Sequence, residues 1–253
     1  MYVFVDPHTH HFVSNYSTLE LIRDEGFKRV FILAYIPVKP LHLSTLVDLF
    51  RWLVEVEPLR FKDLGIELRV GLGIHPRNIP PNLEGFKDLE DWLVRADFIG
   101  EVGLELGSDD EVKVFSEMLR LAKEFDKVVI IHTPRRNKEL ITKKVIKYAV
   151  LSGISLDRVV IDHISREVVK EVVDLGTYVG LTVQPGKLSS DDVVNLVRDY
   201  PELIDRGLVN SDCGRDPSDP LAVKKTYAVL LNSGLGLSDA RKLVSDNALK
   251  LIK

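Results

Sequence analysis

The chain has 253 residues, 45% apolar and 28% charged, a balance that supplies a sizeable core and excludes a disordered polymer. A net charge of −4 argues against a protein that coats nucleic acid through bulk charge, while leaving room for a local basic rim. The single cysteine, Cys213, excludes an intramolecular disulfide, no run of about 18 apolar residues marks a membrane span, and Met1-Tyr2-Val3-Phe4-Val5-Asp6 lacks the basic and apolar regions of a leader, so a cytoplasmic protein with no membrane partner is expected.

Short, near-continuous apolar runs alternate with longer amphipathic stretches. Tyr2–Val5 reads as a strand, and Ser17–Glu25 as a helix opened by a Ser17/Glu20 capping box. Strand Arg29–Ala34 precedes helix Leu43–Glu57, which Pro58 should end. Strand Leu68–Ile74 precedes helix Leu83–Arg95, and strand Phe98–Val102 precedes helix Asp109–Phe125. Val128–Ile131, Val159–Ile161, Tyr178–Thr182 and Leu208–Ser211 are the remaining strands. Their helices are Asn137–Ser152, Ser165–Leu175, Ser189–Tyr200 and Pro220–Asn232, and Ser238–Ile252 closes the chain. Gly153, Gly176 and Gly234 stand just beyond helices, where a left-handed cap is expected.

Strands that read as continuously apolar are covered on both faces, and a helix after each one requires parallel neighbours. The pattern predicts a single-domain α/β protein, a (β/α)8 TIM barrel over residues 1–253. An open doubly wound sheet would want a glycine-rich loop after its first strand, and Asp6-Pro7-His8-Thr9-His10-His11 has no glycine.

Of seven histidines, His8, His10, His11, His75, His132 and His163 fall just after a strand's apolar run, and His42 alone lies elsewhere. Strand C-termini of a barrel meet at one mouth, so side chains distant in sequence can meet there. His8 and His10, two apart on a strand, should share a face. Glu101 and Asp212 close the fourth and eighth strands, and a carboxylate at a barrel mouth is costly unless paired or metal-bound. Each feature alone has an ordinary explanation: a rim glutamate, a core histidine, a turn cap. Together they predict metal ligands at His8, His10, Glu101, His132, His163 and Asp212, a donor set suited to Zn²⁺, Mn²⁺ or Mg²⁺. His11 and Cys213 flank these positions and read as structural.

The segments Asp6-Pro7-His8-Thr9-His10, Gly73-Ile74-His75-Pro76, Ile99-Gly100-Glu101-Val102-Gly103-Leu104, Val129-Ile130-Ile131-His132, Asp162-His163, Ser211-Asp212 and Asp246-Asn247-Ala248 resemble, in order, those of the TatD-like metal-dependent hydrolases, amidohydrolase-like barrels, in an archaeal-type branch. The resemblance implies two divalent metal ions bridged by Glu101. His8, His10 and Asp212 would hold one, and His132 and His163 the other. Asp212 would also orient or deprotonate the attacking water, giving Asp212 and Glu101 catalytic roles, and His75 would lie near the substrate. The sequence departs from the better-studied bacterial members at Arg77, Glu105, Pro134 and residues 181–187, all around the expected pocket.

Arg77, Arg135 and Arg136, with Lys138, Lys187 and Arg215, gather near strand ends and suit an anionic substrate. The leading expectation is hydrolysis of DNA or a small phosphodiester by attack of a metal-bound hydroxide. Hydrolysis of a small-molecule ester, lactone or amide, and metal or partner binding without turnover, both stay open at this stage.

Overall fold

A computed structural model describes residues 3–215 and 217–252. The predicted first strand begins at Tyr2, which lies outside them. The strand itself, β1, runs Phe4–Thr9, so His8 and Thr9 are part of it. The others are β2 Phe27–Leu33, β3 Glu67–Leu72, β4 Phe98–Gly103, β5 Val129–His132, β6 Val159–Ile161, β7 Tyr178–Thr182 and β8 Gly207–Asn210. They form one parallel sheet in the order β1 to β8. Its two edges meet at the C-terminal end. There Asp212 N donates to His8 O at 3.0 Å, His10 N donates to Cys213 O at 2.7 Å, and Thr9 bridges Cys213. The predicted (β/α)8 architecture is thus the observed one.

Helices cover the outside: α1 Tyr16–Asp24, α2 Ser44–Glu55, α3 Glu57–Asp63, α4 Phe86–Arg95, α5 Asp109–Glu124, α6 Lys138–Ser152, α7 Val169–Leu175, α8 Ser190–Asp199, α9 Leu203–Arg206, α10 Ala222–Asn232, α11 Leu237–Arg241 and α12 Asn247–Leu251. The larger apolar core lies between sheet and helices. A smaller one fills the barrel with Val5, Phe31, Leu33, Phe98, Ile130, Val160 and Leu208, and Ala248, Leu251 and Ile252 complete it. Because Arg29, at the start of β2, reaches Ile252 O, the C-terminal segment covers the N-terminal end of the barrel. Gly71 is needed inside: a Cβ there would lie 2.1 Å from the Phe98 ring. With one end packed, the polar chemistry is confined to the other.

Several helix boundaries differ from the sequence expectation. Asn15, not Ser17, caps α1, its Oδ1 accepting from Thr18 N at 2.9 Å and from the Ser17 hydroxyl. Both residues suit a cap, and a capping box in Ser17–Glu20 looked as good in the sequence. The predicted helix 43–57 breaks at Val56, because Pro58 fits the first turn of a new helix, α3, instead of ending the old one. The predicted 165–175 helix begins at Val169, 238–252 is interrupted by a π turn over Lys242–Asp246, and the short α9 was not anticipated. Gly153, Gly176 and Gly234 take positive φ of 66°, 82° and 92°, as their places beyond helices predict. No helix among the described residues is long and apolar enough to cross a membrane.

Because Asn15 holds the cap, Asn15→Ala should lower unfolding stability by about 1 kcal/mol and Ser17→Ala by clearly less, as read from urea denaturation midpoints.

Candidate active site

Glu101 lies in β4, 2% exposed, with imidazoles on both of its oxygens. Oε1 is 3.0 Å from His132 Nδ1 and 2.9 Å from His163 Nε2. Oε2 faces the Nε2 atoms of His8 at 3.6 Å, His75 at 3.7 Å and His10 at 3.8 Å. Asp212 completes the group, its Oδ1 3.2 Å from His10 Nε2 and 3.6 Å from His8 Nε2. Residues from the ends of β1, β3, β4, β5, β6 and β8 thus meet at one mouth. His163 and Asp212 adopt left-handed φ of 57° and 46°, uncommon for residues with a side chain, and both point into the cluster.

Each imidazole is oriented from behind. His8 Nδ1 bonds Asp162 Oδ2, His10 Nδ1 donates to Leu33 O at 2.8 Å, and His163 Nδ1 lies 2.8 Å from Thr182 Oγ1. His8 Nε2 is buried with no hydrogen-bond partner and faces the carboxylates of Glu101 and Asp212. That unpartnered nitrogen, among neutral imidazoles and carboxylates, fits a divalent cation. Groups whose donor atoms lie within 4.8 Å of one another are His8, His10 and Asp212; His8, Glu101 and His163; and His75, Glu101 and His132. His75 is the weak member. Its Nδ1 accepts from Arg77 N at 3.0 Å, so its own proton sits on Nε2 and no lone pair faces the cluster. His132 and His163, expected on a shared ion, both reach Glu101 Oε1.

The charge states follow from these contacts. Burial opposes ionisation of Glu101, but His8, His75 and His132 outweigh it and hold the carboxyl well below its usual range. Asp212 is held down likewise, burial being overcome chiefly by Lys187. Burial opposes the His8 imidazolium, yet Glu101 and Asp162 raise it well above the ordinary value. His75 is pushed well down by burial, and His163 down to about 4 by burial and Lys187.

The cluster floors a cavity of about 220 Å³. Arg77, Arg135, Lys187 and Arg215 are its cationic lining among the described residues, and Phe12, Val13, Tyr35 and Pro37 form an apolar wall. Lys187 bonds Asp212 Oδ2 and lies 3.0 Å from His163 Nδ1, and Arg135 donates to Gln184 Oε1 at 3.0 Å. Two expected rim residues are elsewhere. Arg136 is exposed and does not line the cavity, because the chain turns at Asn137, with φ of 50°, to enter α6. Lys138 turns inward, bonding Thr133 Oγ1 at 2.7 Å and the His163 carbonyl, and burial pushes its ammonium down to about 7. His11 is buried, with its Nδ1 on Ser14 Oγ, and lies outside these groups; burial drives the Cys213 thiol up to about 11.

Sequence reasoning passed over Asp162. It is 1% exposed, and its Oδ1 accepts from His163 N at 2.6 Å, Thr182 Oγ1 at 3.0 Å and Asn210 Nδ2 at 3.0 Å, while Oδ2 holds His8. Gly180 makes the room: a Cβ there would lie 1.8 Å from Asp162 Oδ1. A carboxylate directly after an apolar strand was the available signal. Tyr35 was also missed; its ring packs on His75 and His10 with centroids 4.8 and 5.5 Å apart.

A parallel eight-stranded barrel whose C-terminal mouth gathers buried imidazoles and carboxylates is the architecture of metal-dependent hydrolases. The chain belongs to one such family, described as TatD related DNase, which it matches over residues 5–253. It is 31% identical over 245 residues, 95% of each chain, to an uncharacterized metal-dependent hydrolase of Methanocaldococcus jannaschii. The crystal structure of a TatD-like protein from Archaeoglobus fulgidus superposes with a TM-score of 0.83 at 33% identity, covering 98% of this chain and 99% of that one. A phosphotriesterase homology protein from Escherichia coli, solved with phosphate in its active site, shares the fold at a TM-score of 0.70 and 16% identity, over 100% of this chain and 98% of that one.

Because Asp162 holds His8, Asp162→Asn should weaken Zn²⁺ binding about 10- to 100-fold in calorimetric titration while circular dichroism shows the barrel retained.

Proposed function

We propose that this protein hydrolyses phosphodiester bonds, in DNA or a small phosphodiester, with two divalent cations shared through Glu101. The observation that carries the reading is one cavity holding both the imidazole–carboxylate cluster and the side chains of Arg77, Arg135, Lys187 and Arg215. His8, His10 and Asp212 would hold one cation and His132 and His163 the other, with Glu101 common to both. Bound there, Zn²⁺, Mn²⁺ or Mg²⁺ supplies Lewis acidity and acidifies a coordinated water.

The chain's own groups do the rest. Asp212, kept ionised, accepts the proton of the attacking water at its carboxylate. Arg77, Arg135 and Arg215 bind the negative charge of the non-bridging phosphate oxygens. His75 offers Nε2–H to a substrate oxygen, since its Nδ1 is engaged by Arg77 N. The wall of Phe12, Val13, Tyr35 and Pro37 takes the apolar part of the substrate, such as a base or sugar face.

The same wall favours a second reading, hydrolysis of a small-molecule ester, lactone or amide, because a cavity of about 220 Å³ suits a compact, partly apolar ligand. A panel of single-stranded DNA, bis-aryl phosphodiesters, lactones and dipeptides, each run with Mg²⁺, Mn²⁺ and Zn²⁺, separates the two. Phosphodiester cleavage is expected, and its absence with all three metals would overturn the first reading.

On the cleaved substrate, Asp212→Ala should lower kcat at least about 100-fold at saturating metal, since several kcal/mol of barrier stabilisation is lost. Arg135→Ala should act mainly on KM, as expected for a group that binds an anion in ground and transition state alike.

A further inference from the structure

The loop after β4 presents a carboxylate engaged on both sides. Glu105 Oε2 lies 2.9 Å from His132 Nε2, and Oε1 accepts from Arg77 Nη2 at 2.6 Å. Its backbone is fixed as well. Glu111, buried in the first turn of α5, accepts at Oε2 from the amides of Glu105 at 2.9 Å, Leu106 at 2.9 Å and Gly107 at 2.7 Å. Lys144 adds a bond to Gly107 O. Three amides converging on one carboxylate oxygen hold the loop, because a drift would leave a buried charge unsatisfied.

An ionised carboxylate only accepts, so Nε2 of His132 carries the hydrogen. Nδ1 turns the other way, 3.0 Å from Glu101 Oε1, so it is the nitrogen that a cation held by Glu101 would meet. His8 and His10 are arranged the other way, Nδ1 turned outward to Asp162 and Leu33 O and Nε2 turned in. We propose that Glu105 is a positioning residue that fixes His132 as an Nδ1 donor to a divalent cation, in a ring orientation opposite to that of His8 and His10. The inference rests on the metal-dependent chemistry of the site and not on the substrate being a phosphodiester. Because Glu105 also anchors Arg77, one loop residue joins a metal donor to the anion-facing rim.

The test is Zn²⁺ titration against a competing chelator for the parent, E105A and E105Q, with long-range ¹H–¹⁵N spectra of the Zn²⁺-loaded proteins assigning the protonated nitrogen of His132. E105A should lose about 10- to 100-fold in affinity and E105Q less, since an amide oxygen still accepts from Nε2–H. The parent should show His132 protonated on Nε2, and E105A a mixture of tautomers. Glu105 is partly exposed and its loop is held by Glu111, so both variants should melt near the parent temperature; a role confined to loop packing would move the melt and leave the tautomer alone. Parent affinity in E105A, or reduced affinity with an unchanged tautomer, overturns the proposal. A parent that binds Zn²⁺ through His132 Nδ1 yet cleaves no phosphodiester supports it while overturning the substrate reading. A parent that binds no divalent cation overturns both.

Discussion

The mouth of this barrel is organised by one buried negative charge. Placing the Glu101 carboxylate where it is 2% exposed would cost several kcal/mol if it stood alone. The compensation comes from imidazoles that the chain delivers from β1, β3, β5 and β6. No two neighbouring segments supply it. The sheet must close, and it closes beside the site, through the bonds that Asp212 and His10 make across the β1–β8 seam. The bonds that close the barrel are therefore made by residues of the site itself.

Behind that cluster lies an outer set of hydrogen bonds that decides which nitrogen faces inward. Asp162, Leu33 O and Thr182 set three of the rings, and Glu105 sets the fourth. These partners differ in type and come from different elements, so the rings are oriented one by one. Gly180 belongs to this set although it bonds nothing there, because only a residue without Cβ leaves space for the Asp162 carboxylate. Two residues of the site itself, His163 and Asp212, hold left-handed backbone, a local cost that the surrounding bonds must outweigh.

The cavity above is asymmetric. Arginine and lysine side chains line part of it and Phe12, Val13, Tyr35 and Pro37 another part, so it matches a molecule that is anionic at the reacting centre and apolar beside it. A nucleotide unit has that character, and so does a small aryl ester with a polar carbonyl. The phosphodiester reading we propose assigns the arginine and lysine side chains to the first. The net charge of −4 is no obstacle, because attraction at a partly enclosed mouth depends on the local lining more than on the sum over the surface.

The sequence by itself determined the architecture and named most of the imidazoles and carboxylates that meet at one mouth. Eight apolar runs each followed by an amphipathic stretch allow few arrangements, and five of the six histidines placed after such runs, all but His11, meet once those runs close into a barrel. Helix starts were less legible: Asn15 and Ser17 are chemically equivalent caps, and Pro58 can stop one helix or start the next. Tertiary structure alone decided that Asp162 and Glu105 orient imidazoles, that Lys138 turns inward and Arg136 stays out, and that Tyr35 packs on two of the histidines. Strand periodicity reports which face a residue takes, a local property. Which atom of a ring faces which oxygen depends on distant segments, 154 residues apart for His8 and Asp162, and exists only after the barrel has closed.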